Sequence, residues 1–73
     1  MKQNLVEWID SKGGATAAAK ILGEHPRTVG SWYRLERAPS FKAALNIYLK
    51  SDQEVDFNGI YCPLAQQAME QGK

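Results

Sequence analysis

A chain of 73 residues has the length of one compact domain, able to bury only about 60% of its unfolded surface, with no room for a catalytic domain beside a binding one. Its 44% hydrophobic and 23% charged residues place it with ordinary soluble globular domains and exclude a disordered tail or a membrane span. The net charge of +1 conceals a basic centre: from Lys12 to Lys50 seven cations oppose only Glu24 and Glu36, a local balance of +5, while residues 1–11 and 51–73 are each net acidic. Phosphate attraction is local on the scale of a Debye length, about 8 Å at physiological salt, so such a centre fits a middle that faces a polyanion.

The first helix is predicted from about Lys2 to Ser11, with Leu5, Val6, Trp8 and Ile9 on one face and Glu7 and Asp10 on the other. Gly13-Gly14 stops it. A second, alanine-rich helix runs from Ala15 or Thr16 to Leu22 and closes on Gly23, a residue suited to positive φ. The third begins at Pro26, because proline is favoured at the first helical position and holds His25 extended. It continues through Trp32 to about Glu36, and Ala38-Pro39 ends it. Ser40 is an N-cap for a fourth helix carrying Phe41, Ala44, Leu45, Tyr48 and Leu49.

Residues 54–62 read as a short β-hairpin, since Val55-Asp56-Phe57 alternates and Asn58-Gly59 is the strongest two-residue turn signal. Pro63 then opens a last helix to about Gln71, with Leu64, Ala65, Ala68 and Met69 as a narrow apolar stripe. The fold class expected is mainly α, one domain over residues 1–73 with four or five helices and a small C-terminal hairpin.

Chemistry-bearing residues are sparse. The single Cys62 forms no internal disulfide, and with one histidine there is no zinc-ligand cluster. Cys62 is expected to be a small buried or half-buried side chain. His25 lies beside Pro26, where it caps or covers the turn, and Ser11, Ser31 and Asp10 form no catalytic constellation with it. No enzyme activity, metal, cofactor or small-molecule substrate is therefore expected. No apolar run approaches the roughly 18 residues of a membrane span, and the opening residues lack a signal-peptide core, so the expected compartment is the cytoplasm.

Two short helices joined by a glycine-containing turn make a helix-turn-helix, whose second helix can enter the DNA major groove. That geometry needs a small residue where the helices cross, a turn residue tolerant of positive φ, and inward anchors on the second helix. Ala19, Gly23, and the pair Val29 and Trp32 meet these needs at compatible spacing. With Val29 and Trp32 inward, Arg27, Gly30, Ser31 and Arg34 turn outward along one face.

The stretch ATAAAKILGEHPRTVGSWYR, Ala15 to Arg34, resembles the Cro/repressor-type helix-turn-helix regulators of temperate phages. The following APSFKAALNIYLKS is similar to the segment after the recognition helix in Cro and in the phage activator CII. The resemblance covers roughly residues 13–50 and implies a lambda-repressor-like domain with its helix-turn-helix at about 15–36. It departs at Ala15, where many relatives place a glutamine that braces a phosphate.

The resemblance implies base contacts from Arg27 and Ser31, and Arg34 one turn on reaches a base or a phosphate. Phosphate positioning falls to Thr16, Lys20, Arg37 and Lys42. Gly30 is expected to let the backbone approach the groove, and Trp8, Trp32, Phe41 and Tyr48 are expected in the core. The implied partner is operator DNA bound by a homodimer whose contacts come from residues 51–73, through Val55, Phe57, Ile60, Tyr61, Leu64 and Met69. A Cro-like repressor is the leading expectation. A CII-like activator, tetrameric in that case, and an antitoxin-like protein-binding module are the alternatives.

Overall fold

The computed structural model describes residues 3–71 and is mainly helical, with five helices and no strand among those residues. They are α1 (Leu5–Ser11), α2 (Ala15–Leu22), α3 (Pro26–Tyr33), α4 (Phe41–Lys50) and α5 (Phe57–Gln71). None is long and apolar enough to cross a membrane.

Helix α1 starts at Leu5 because Asn4 and Glu7 form a capping box: the Asn4 side chain accepts from the Glu7 N–H at 2.8 Å, and the Asn4 N–H donates to Glu7 Oε1 at 2.9 Å. The earlier start expected at Lys2 lies outside the described residues. α2 ends where Gly23 takes φ 70°, and the Glu24 N–H turns back to the Ala19 carbonyl. α3 opens at Pro26, with His25 as N-cap. It closes earlier than the expected Glu36, on Leu35 at φ 61°. The Leu35 and Glu36 N–H groups donate to the Trp32 and Ser31 carbonyls, a closure that normally selects glycine. Ser40 caps α4 through the Ala43 N–H at 3.2 Å.

The core gathers Leu5, Trp8 and Ile9 of α1, Ala18, Ala19 and Leu22 of α2, and Val29 and Trp32 of α3. Ala44 and Ile47 of α4, Val55 and Ile60 complete it. α3 packs against α2 and α1, whereas α4 packs against α2 and α5. Two side chains tie the halves together. Asn46 Nδ2 donates to the Leu22 carbonyl at 2.8 Å, and the Tyr61 hydroxyl donates to the Pro39 carbonyl at 2.8 Å.

The structure overturns the C-terminal hairpin. Asp56 accepts from the Gly59 N–H at 2.8 Å, the bond of an N-cap to the third residue of a helix, so residues from Phe57 onward wind into α5 and Asn58-Gly59 is helical. Pro63 stands inside that helix instead of opening it. Gly59 is required for another reason: a Cβ there would lie 2.7 Å from the Gln3 carbonyl oxygen and 3.3 Å from the Asn4 Cα. Both neighbours are backbone, in a segment held by the Gln3 N–H bond to the Glu54 carbonyl at 2.9 Å. Gly59→Ala should therefore destabilise by about 1–3 kcal/mol despite alanine's higher helix propensity. A lower urea midpoint at constant m-value is the expected reading, and an unchanged midpoint would refute the close approach.

The apolar face of α4 also departs from expectation. Ala44 and Ile47 enter the core, whereas Phe41 is 70% and Leu49 62% exposed and Tyr48 is half-buried. Ile47 is the large anchor, and it lies across the helix from the Phe41, Leu45, Leu49 stripe, so Phe41, expected in the core, faces outward.

Candidate functional site

The face of α3 that points away from the core carries the polar residues singled out by sequence. Val29 is fully buried and Trp32 is 5% exposed, which fixes the rotation of the helix. Arg27 and Arg34 are exposed and Ser31 is half-buried. These three, together with Arg37 from the turn after α3 and Ser40 at the head of α4, line one open hollow of about 590 Å³. The base-contacting candidates are thus brought together, and Arg37 joins them. Thr16, Lys20 and Lys42 are exposed but do not line that hollow; Lys42 borders a separate one with Leu45 and Leu49.

Local hydrogen bonds prepare this face. His25 Nδ1 accepts from the Arg27 N–H at 3.1 Å, satisfying one of the orphan donors of the first turn. His25 is therefore a cap in this structure, as its place beside Pro26 suggests. The Ser31 hydroxyl donates to the Thr28 carbonyl at 2.6 Å, which leaves its lone pairs as acceptors. Arg34 is ordered by Glu36: Nε and Nη2 donate to the two carboxylate oxygens at 3.1 and 3.3 Å. With the side chains 55% and 59% exposed, this fork contributes only about 0–1 kcal/mol and can be exchanged for another anion.

Glu36 and Glu24, which line the same hollow, were not singled out by sequence. Glu36 meets Arg34 only because Leu35 adopts the left-handed conformation and turns the chain back, a step that a leucine does not announce.

Contrary to the expectation from sequence, Gly30 does not leave an open backbone. It is buried, and the Arg34 guanidinium lies over it: a Cβ at Gly30 would sit 3.0 Å from Arg34 Nη1. Since that neighbour is the far end of a flexible side chain, it can swing aside. Gly30→Ala is then expected to stabilise the fold by about 0.5–1 kcal/mol through helix propensity, read as a higher urea midpoint. A destabilised variant would mean that Arg34 is fixed in place.

At the back of α3, the Tyr33 hydroxyl donates to Asp10 Oδ1 at 2.8 Å and ties α3 to α1. That hydrogen bond, and the negative charge of Asp10, hold the phenol above its ordinary value of 10.0. The tie is therefore fully present at neutral pH and is lost as pH rises through the elevated phenol value. Just past the end of α1, the Lys12 ammonium stands over the Trp8 ring at 5.7 Å from its centroid, so this cation covers the core instead of joining the hollow.

Cys62 is exposed and unpaired, not the buried or half-buried side chain expected. No group of three or more His, Cys, Asp or Glu is placed to hold a metal ion among the described residues. Comparison of the chain with protein-family models, with curated proteins and with solved structures finds no match.

Proposed function

We propose that this protein is a sequence-specific DNA-binding transcriptional regulator, with α2 and α3 acting as a helix-turn-helix and α3 as its recognition helix. The observation that carries this reading is the gathering of Arg27, Ser31, Arg34 and Arg37 around one open hollow, on and just after a short helix whose rotation is locked by buried Val29 and Trp32. The near-absence of side chain at Ala19 and the left-handed Gly23 support the tight crossing that such a unit needs.

In this reading Arg27, in the first turn of α3, presents its fork to guanine O6 and N7. Ser31 accepts from a base edge. Arg34 exchanges Glu36 for a phosphate or a base, and Arg37, Thr16, Lys20 and Lys42 set the register on the phosphates. A unit of this size makes few base contacts, so binding as a homodimer to a pseudo-palindromic operator supplies the affinity. Occupancy of a promoter makes it a repressor, in the manner of the Cro-type regulators that the sequence resembles.

Selection of bound duplexes from random DNA tests the proposal. Enrichment of a palindromic site is the expected result, with an observed affinity that falls steeply as salt rises, by a slope of about 0.9 for each phosphate neutralised. Failure to enrich any site would sink the sequence-specific reading.

A further inference from the structure

The side of α4 turned away from the core is largely apolar, with Lys42 as the charged residue beside Leu45 and Leu49. Phe41, Leu45 and Leu49 recur on it at four-residue spacing, 70%, 40% and 62% exposed, and Phe57 at the head of α5 extends it, 39% exposed. Aromatic contacts join the two helices into one surface: Phe41 meets Phe57 edge-on at 5.8 Å between ring centroids, and Tyr48 lies 6.2 Å from Phe57. At these exposures the four side chains present on the order of 400 Å² of apolar area. That matches the largest apolar patch of a typical monomer, about 300–600 Å² and often functional, here on a small molecule whose accessible surface is 4894 Å².

We propose that a second copy of this chain covers this face, forming an isologous two-fold dimer through α4 and the start of α5. The area is the first reason. A stable protein interface of standard size takes about 800 Å² from each partner, of which a little over half is apolar, so the patch supplies most of the apolar share of one side. The second reason is shape. An isologous interface needs a projection and a recess within the same patch, because each copy presents both. Phe41 is the projection. The recess is a hollow of about 410 Å³ bordered by Leu45 and Leu49, with Lys42 and Asn46 beside them. Antiparallel pairing of α4 about Leu45 sets Phe41 of one copy against the partner's Leu49, on the border of that hollow, and does so twice.

This interface keeps only Phe57 of the contacts expected from residues 51–73 and leaves Leu64 and Met69, the latter 66% exposed, outside it. Val55 and Ile60 are in the core, 0% and 1% exposed, and Tyr61 is half-buried with its hydroxyl on Pro39, so these side chains are committed within the chain. As the dimer face of a regulator the inference rests on the reading above, but its measurement uses the protein without DNA, so the two fail separately.

Sedimentation equilibrium of the full chain should give about twice the 8.1 kDa of one copy. Joint Phe41→Lys and Leu49→Lys substitution should weaken association by about 30-fold or more, the minimum for hot-spot residues, with circular dichroism and the thermal transition of the monomer retained because both side chains are exposed. Ile21→Lys, at an apolar residue 41% exposed on α2, should leave the dimer intact. A monomeric wild-type protein would assign the face to a different partner and overturn the proposal. So would a dimer, or a larger assembly, that survives the double substitution. DNA selection run on the wild-type protein reports on the regulator reading separately.

Discussion

Trp32→Ala should cost about 3–5 kcal/mol of folding stability, the range for removing a large aromatic from a core. A domain of this length holds only roughly 4–11 kcal/mol in total, so the variant should be largely unfolded well below the wild-type transition, with a melting temperature lower by about 15 °C or more. The effect is large because Trp32 is 5% exposed in a cluster that also holds Trp8, Leu22 and Val29, and the short helices around it cannot collapse to fill the space. α3 has eight residues, too few to persist without its packed face. Trp32→Phe, which keeps most of the apolar volume, should lose less than half as much. Urea unfolding followed by circular dichroism provides the comparison. A loss under about 1 kcal/mol for Trp32→Ala, a typical surface value, would mean that Trp32 does not anchor α3.

What could be read in the sequence was local and chemically marked. Gly23 ended α2, Pro26 began α3 and Ser40 capped α4 because each residue has a backbone or side-chain property that few others share. The same marking fixed the inward pair Val29 and Trp32, and hence which residues of α3 face out. Asn4 with Glu7 is an equally local signal for the start of α1, one that a start at about Lys2 passes over.

The rest depended on tertiary context. Asn58-Gly59 carries the composition of a tight turn, yet Gly59 is glycine because the backbone of Gln3 and Asn4 passes over it, a contact more than fifty residues away in the chain. Leu35, Asp52 and Gln53 take positive φ without being glycine, so the ends of α3 and α4 had no residue-level mark. On α4, hydrophobic periodicity found an apolar stripe but could not say whether its cover was the core or another surface. Phe41, Leu45 and Leu49 are apolar at helical spacing just as core residues are, while the smaller Ala44 and the single Ile47 turn inward. Within the candidate site the outward rotation of Arg27, Ser31 and Arg34 followed from the anchors, whereas the Arg34–Glu36 fork and its seat over Gly30 required the turn at Leu35.

Arg27→Ala is expected to lower affinity for the selected DNA site by about 5–150-fold at each half-site, the equivalent of 1–3 kcal/mol for a bidentate base contact. On a two-fold operator read by both copies the free-energy loss doubles. Stability should hardly change, since the side chain is exposed and the cap bond from His25 goes to the Arg27 backbone N–H, which alanine retains. Two roles for the guanidinium give different results. If it reads guanine, repeating the selection with the variant relaxes preference at one base pair per half-site and leaves the salt slope nearly intact. If it only neutralises a phosphate, affinity falls uniformly across sequences and the slope drops by about 1. Lys50→Ala removes the same formal charge from an exposed position beyond the hollow and separates both from a change in the overall field. An Arg27→Ala motif identical to that of the wild-type protein would remove Arg27 from the reading face.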